Sequence, residues 1–150
     1  MKKIGGIVLV IIIICSAATA EYATVTASLL NIRSRPSKKG FIEGFAERGD
    51  KIELSGRWSQ DHKWVEVLAG EAGVGWVSID YVTEREPVIV ENLGKKVKIR
   101  KTPVNGKLTG YLKKGGKIVI DQVVLGWGHC SKGWIDLSYL IELENEVSVP

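Results

Sequence analysis

The chain repeats itself. Leu30–Ser37 (LNIRSRPS) is answered by Val97–Val104 (VKIRKTPV), Gly44–Leu54 (GFAERGDKIEL) by Gly110–Ile120 (GYLKKGGKIVI), and Gly75–Glu84 (GWVSIDYVTE) by Gly133–Glu142 (GWIDLSYLIE). The offset shrinks from 67 to 66 to 58 residues, so loops change length while the blocks are kept. A period of roughly sixty residues means two copies of one small unit. Inside the blocks the apolar residues alternate: Leu30 and Ile32 with Asn31 and Arg33, Val97 and Ile99 with Lys98 and Arg100, Ile52 and Leu54 with Lys51 and Glu53. That period of two buries one face of a strand and leaves the other in solvent. No segment after the leader has a helical period. Gly49-Asp50, Asn105-Gly106, Gly115-Gly116 and the stretch Gly70 to Gly75 punctuate the strands at turn spacing. Short strands with frequent glycine turns predict an all-β chain built as small barrels or sandwiches.

Residues 1–20 read as a signal peptide: Lys2 and Lys3, an apolar run from Ile4 to Cys15, then Ala18-Thr19-Ala20 before a cleavage expected ahead of Glu21. The apolar run is shorter than the ~20 residues that comfortably span a bilayer. A retained leader is the rival reading, and it would make the chain a membrane-tethered sensor. Cys15 raises the question of a lipid anchor, but Ile14 stands where a small residue normally precedes the lipid-carrying cysteine. The expected organisation is repeat one over 21–84, a short joint at 85–87 containing Pro87, repeat two over 88–143, and a frayed tail over 144–150. Cleavage leaves Cys130 as the single thiol, so no internal disulfide can form. It falls where the first copy has Val67, which points to a small buried hydrophobe.

Charge separates the copies. Glu21–Pro87 carries nine basic and eleven acidic residues, whereas Val88–Pro150 carries ten basic and six acidic. Nine of those ten bases fall between Lys95 and Lys117, a window without Asp or Glu. In an exported protein such a window favours an anionic polymer or membrane surface over nucleic acid.

The blocks resemble the bacterial SH3 (SH3b) domain family. The resemblance runs through Leu30 to Ser34, Pro36-Ser37, Gly49, Trp64 to Val67, Gly75-Trp76-Val77 and Tyr81-Val82. In the second copy it runs through Ile99-Arg100, Pro103, Gly110, Gly115, Gly126-Trp127, Gly133-Trp134-Ile135 and Tyr139-Leu140. It implies two tandem small SH3-like β-barrels of five to seven strands. It also implies a noncatalytic role attaching exported proteins to the bacterial cell wall, through peptidoglycan or teichoic acid. Lys98 departs from the pattern, where repeat one and the family have Asn.

The aromatics are the first candidates for contact. Alternation sends Val65 and Val67 inward and leaves Trp64 and Glu66 on the outward face; the same register leaves Trp127 and His129 outward and Cys130 inward. Rigid rings on such a face offer stacking platforms for a sugar or peptide; alternatively they cover the open ends of a small barrel. Trp58 sits in the longer loop of repeat one and has no counterpart in repeat two. Asn31 and Arg33 face outward and either grip an anionic group or pin the loop that follows them. Lys95, Lys96, Lys98, Arg100 and Lys101 form a basic stripe suited to an anionic polymer, or to guarding an edge strand. A protein partner, another secreted protein, is the main alternative to a wall polymer. Catalysis is not expected. His129 and Cys130 point to opposite faces of a strand, and no motif for a metal, phosphate or other cofactor is present.

Overall fold

The computed structural model describes residues 20–68 and 73–143. Residues 1–19, 69–72 and 144–150, which include the expected signal peptide through Thr19 and the expected tail, lie outside the described residues. The described chain is all-β, with two single-turn 3-10 segments and no α-helix. The first half contains β1 (Glu21–Val25), β2 (Leu29–Arg33), β3 (Ile42–Glu47), β4 (Lys51–Trp58), β5 (Trp64–Leu68), β6 (Val74–Ser78) and β7 (Val82–Thr83). They join in one antiparallel sheet of order β3-β2-β6-β5-β4-β1-β7. The second half contains β8 (Val88–Glu91), β9 (Val97–Arg100), β10 (Leu108–Leu112), β11 (Lys117–Ile120), β12 (Gln122–Val124), β13 (Trp127–Cys130), β14 (Gly133–Asp136) and β15 (Ile141–Glu142). Here the order is β10-β9-β14-β13-β12 in one sheet and β11-β8-β15 in another.

These two orders are one pairing scheme. β8 lies between β11 and β15 as β1 lies between β4 and β7. In the first half the long strand β4 serves both layers. Its start pairs with β1 and its remainder with β5, with a register shift between Leu54 and Trp58 around Gly56 at φ 85°. In the second half Asp121 interrupts that strand, giving β11 and β12. The ladders stay open instead of closing into the expected barrels: β3 and β7 end the order of the larger sheet without pairing with each other, and β7 packs on β12. Closure needs one continuous, staggered ring of pairing, and no β3–β7 ladder completes it among the described residues. The chain bends or breaks its central strand and folds two layers over the core.

Alternation holds where a strand has one wet face. Leu30, Leu54, Val97, Ile99 and Ile120 are buried, and Ile32, Ile52 and Ile118 are partly buried against the same cores. The two apolar clusters are centred on Val25, Val65, Val67, Val77 and Val82, and on Val90, Ile99, Ile120, Cys130 and Ile135. Cys130 is fully buried, and burial pushes its thiol pKa up. Asn92 is also fully buried. It sits where the first half has Val25, and its side chain donates to Lys95 O at 2.8 Å and Leu112 O at 2.9 Å while accepting from Gly94 N at 3.0 Å. Those bonds offset the cost of burying an amide.

The halves are docked. Val124, Leu125, Trp127 and Trp134 of the second half pack on the first cluster. Gln122 Nε2 donates to the carbonyls of Ile79 and Val82. Val123 N donates to Thr83 Oγ1 at 3.0 Å, Leu125 N to Glu84 Oε2 at 2.8 Å, and Glu84 N to Val123 O at 2.8 Å. Arg85 pairs with Glu142. The docking tip is the two-residue turn Leu125-Gly126 between β12 and β13, with φ 46° and 77°. Positive φ at both positions is the type I′ geometry that suits a twisted hairpin.

Candidate binding groove

The register aligns the two halves residue by residue. Trp64 faces Ser78 as Trp127 faces Asp136; Glu66 faces Trp76 as His129 faces Trp134; Val67 faces Gly75 as Cys130 faces Gly133. Arg33 opposes Trp76 as Arg100 opposes Trp134. Asn31 opposes Phe45 as Lys98 opposes Tyr111. Each half therefore presents the same outward positions, filled differently.

In the first half two of these positions are closed off, while Asn31, Arg33, Trp76 and Ser78 stay half-buried. Trp64 and Glu66, expected outward and open, are only 9% and 5% exposed. β5 is a central strand buried on both faces over Trp64–Val67, and the residues flanking the bend at Gly56 close on Glu66. Glu66 accepts from Ser55 Oγ at 2.9 Å and from Arg57 Nη1 at 3.1 Å. Trp58 is not in a loop: it ends β4 opposite Val65, half-buried against the first cluster, with its ring 5.9 Å from that of His62. Arg33 spends Nη1 on Lys38 O and Gly40 O, both at 2.9 Å, and so pins the loop between β2 and β3. Asn31 is half-buried beside it. Gly75 and Gly133 permit close approach of a neighbouring strand: a Cβ would strike Ile32 Cγ2 in one case and Arg100 O in the other.

In the second half the same face opens into a groove of about 610 Å³. Lys95, Lys96, Lys98 and Arg100 line it together with Trp127, Asp136, Val104 and Tyr139. The structure thus joins the basic stripe and one of the outward tryptophans into a single site. Lys101 is exposed but does not line it. Arg100 is partly committed, since its Nη1 donates to Gly106 O at 3.0 Å and holds the β9–β10 loop, as Arg33 holds its counterpart. Lys96 Nζ lies 4.5 Å from the centroid of the Tyr111 ring, a cation–π contact that fixes its position. Lys95 and Lys98 are exposed and make no ion pair among the described residues. Asp136 Oδ1 caps the 3-10 turn Leu137–Tyr139, accepting from Ser138 N at 2.9 Å and Ser138 Oγ at 2.7 Å. Trp127 is half-buried because one side of it packs on the first cluster.

His129, the other outward candidate, lies on the next row. Its Nδ1 is 2.8 Å from Asp121 Oδ1, and its ring meets Trp134 edge-on with centroids 5.2 Å apart. It is not among the residues that line the groove. Tyr139 and Val104 were missed by the sequence reading. Tyr139 is 66% exposed, a signal that strand periodicity does not carry. Val104 stands at φ 65°, an outlier for a β-branched residue, and such strain collects at functional rims. No group of three or more His, Cys, Asp or Glu side chains that could hold a metal occurs among the described residues.

No protein-family model matches the chain, and no curated protein matches it. Among solved structures it is similar to NlpC2 from Trichomonas vaginalis, with 14% identity and a TM-score of 0.35 over 82% of this chain and 48% of that one. It is also similar to NlpC1 from Trichomonas vaginalis, with 15% identity and a TM-score of 0.35 over 83% of this chain and 46% of that one. A third likeness is to the Endolysin LysPBC5 CBD, with 16% identity and a TM-score of 0.34 over 81% of this chain and 92% of that one. The chain spans about half the length of the two Trichomonas structures. Likenesses this slight assign no role.

Proposed function

We propose that the protein is a noncatalytic, exported binder of an anionic bacterial cell-wall polymer, and that the ligand lies in the second-half groove. The observation that carries this reading is the convergence of four cationic side chains with Trp127 and Tyr139 in one groove of about 610 Å³. Lysines supply attraction without geometric demand, while flat rings supply a stacking surface for a polymer unit. Contacts of that kind are salt-sensitive. A second reading, docking on another secreted protein, is favoured by one observation: the free edge strand β3 carries exposed Ile42 and Phe45, with Phe41 81% exposed beside it.

A pull-down of residues 20–150, which retain every described strand, separates the two. The baits are purified sacculi with and without teichoic acid, at low and high salt. Retention that needs teichoic acid, fades with salt and weakens in Lys98→Gln supports the groove. Retention on bare sacculi that persists at high salt moves the function toward uncharged peptidoglycan contacts. No retention under any condition overturns the wall reading and leaves the β3 edge as the site to pursue.

A further inference from the structure

The groove is not uniformly basic. Its cations sit on β9 and the segment just before it, at Lys95, Lys96 and Lys98, whereas its far side carries Trp127 on β13, Asp136 on β14 and Tyr139 just beyond. Trp127 and Asp136 are directly paired across β13 and β14. Trp134 pairs with Arg100 and Ile135 with Ile99, so the same antiparallel register continues to set Asp136 beside Lys98. Neighbouring strands are about 4.8 Å apart, which makes the path from the lysine side to the Trp127 side roughly 10 Å. Asp136 uses Oδ1 for its cap, while Oδ2 has no hydrogen-bond partner among the described residues. A carboxylate with a spare oxygen, beside a half-buried tryptophan and an exposed tyrosine, makes a poor seat for an anion. It is a suitable seat for an ammonium group, which both ring faces and the carboxylate attract. The first half confirms that this polarity belongs to the second copy alone: Ser78 and Asn31 stand at the positions of Asp136 and Lys98.

We infer that the groove selects a zwitterionic polymer unit, with a phosphate on Lys95 and Lys98 and a nearby primary ammonium on Asp136, Trp127 and Tyr139. The chemical class is a polyol-phosphate chain bearing aminoacyl esters. This rests on the polymer-binding reading above and narrows it.

The test exploits a sign. Removing the aminoacyl esters makes the polymer more anionic, so simple attraction to lysines predicts tighter binding, whereas a zwitterion site predicts weaker binding. Residues 20–150 are titrated with poly(glycerol phosphate) carrying aminoacyl esters, and with the same polymer after mild alkaline removal of those esters, at about 0.15 M salt. The esterified polymer is expected to bind about fivefold tighter. Asp136→Asn keeps an oxygen to cap Ser138 N and should bring the two polymers to within about twofold, with an unchanged thermal melt. Lys98→Gln should weaken both polymers. Equal or tighter binding of the de-esterified polymer overturns the zwitterion inference and leaves anionic-polymer binding standing. A preference that survives in Asp136→Asn removes that carboxylate from the ammonium seat and also overturns it. If neither polymer binds, the underlying reading fails with it.

Discussion

Val104 is held at φ 65° on the rim of the groove, a conformation that disfavours a β-branched side chain and that Asn adopts far more readily. Val104→Asn is therefore expected to stabilise the fold by about 0.5–1 kcal/mol, seen as a higher denaturant midpoint with an unchanged slope. At Cys130 the thiol is fully buried and its pKa is raised by desolvation. A thiol reagent should react with it only as fast as the second half unfolds, and rapid labelling under native conditions would contradict its place in the core. Glu84 sits just before the joint, and burial first, then the Glu21 carboxylate, raise its pKa, against weaker help from Leu125 N–H and Arg85. Because the folded state holds that proton more tightly than the unfolded chain, stability falls as pH rises from the ordinary carboxylate range through the raised value. Glu84→Gln keeps an acceptor for Leu125 N and removes the charge. It should be more stable than the parent at neutral pH by less than about 1 kcal/mol, with the gap closing at acid pH. A gap that persisted below the carboxylate range would refute the electrostatic account.

β5 and β13 occupy the same place in the pairing scheme, yet Val65 of one is Gly128 of the other. A Cβ at Gly128 would come within 2.7 Å of Leu137 Cδ2 and 2.8 Å of Ile120 Cγ2, so bulk that β5 supplies from within is supplied to β13 by its neighbours. Gly128→Ala should cost about 1–2 kcal/mol through overpacking, measured by thermal or denaturant unfolding. The strands themselves were readable from alternation, and so was the burial of Cys130 at the Val67 position. The outward, open state assigned to Trp64 and Glu66 was not. Alternation tells which residues share a face but not whether that face meets water. For β5 the answer came from the bend at Gly56, which brings Ser55 and Arg57 onto Glu66. Trp58 was misplaced for the same reason, because the bend extends β4 to include it.

The two halves meet through a narrow set of contacts, chiefly β12 and the Leu125-Gly126 turn against β7 and Glu84. Leu at positive φ costs on the order of 1 kcal/mol, and it is offset by packing Leu125 on the first cluster and by its bond to Glu84. Trp127 follows immediately and is braced by that same cluster while it lines the groove. The first half thus positions the site without lining it. Val124 is fully buried in the first cluster. Val124→Asp should undock the halves, split a single unfolding transition into two, and weaken polymer binding even though no groove residue has changed. A single transition with parent-like affinity would show that docking is dispensable.

The amino-acid sequence by itself determined the strand pattern, the duplication and the gathering of cations between Lys95 and Lys117, because periodicity and charge are local properties of a chain. Tertiary structure decided which copy has an open face. Equivalent outward positions became buried at Trp64 and Glu66 in one half, where Ser55 and Arg57 of the bent strand close on Glu66. In the other half they became a groove, where Trp127 is braced from behind and Lys98 lies across from Asp136. Solvent access depends on what distant strands place over a face, and local periodicity does not encode that.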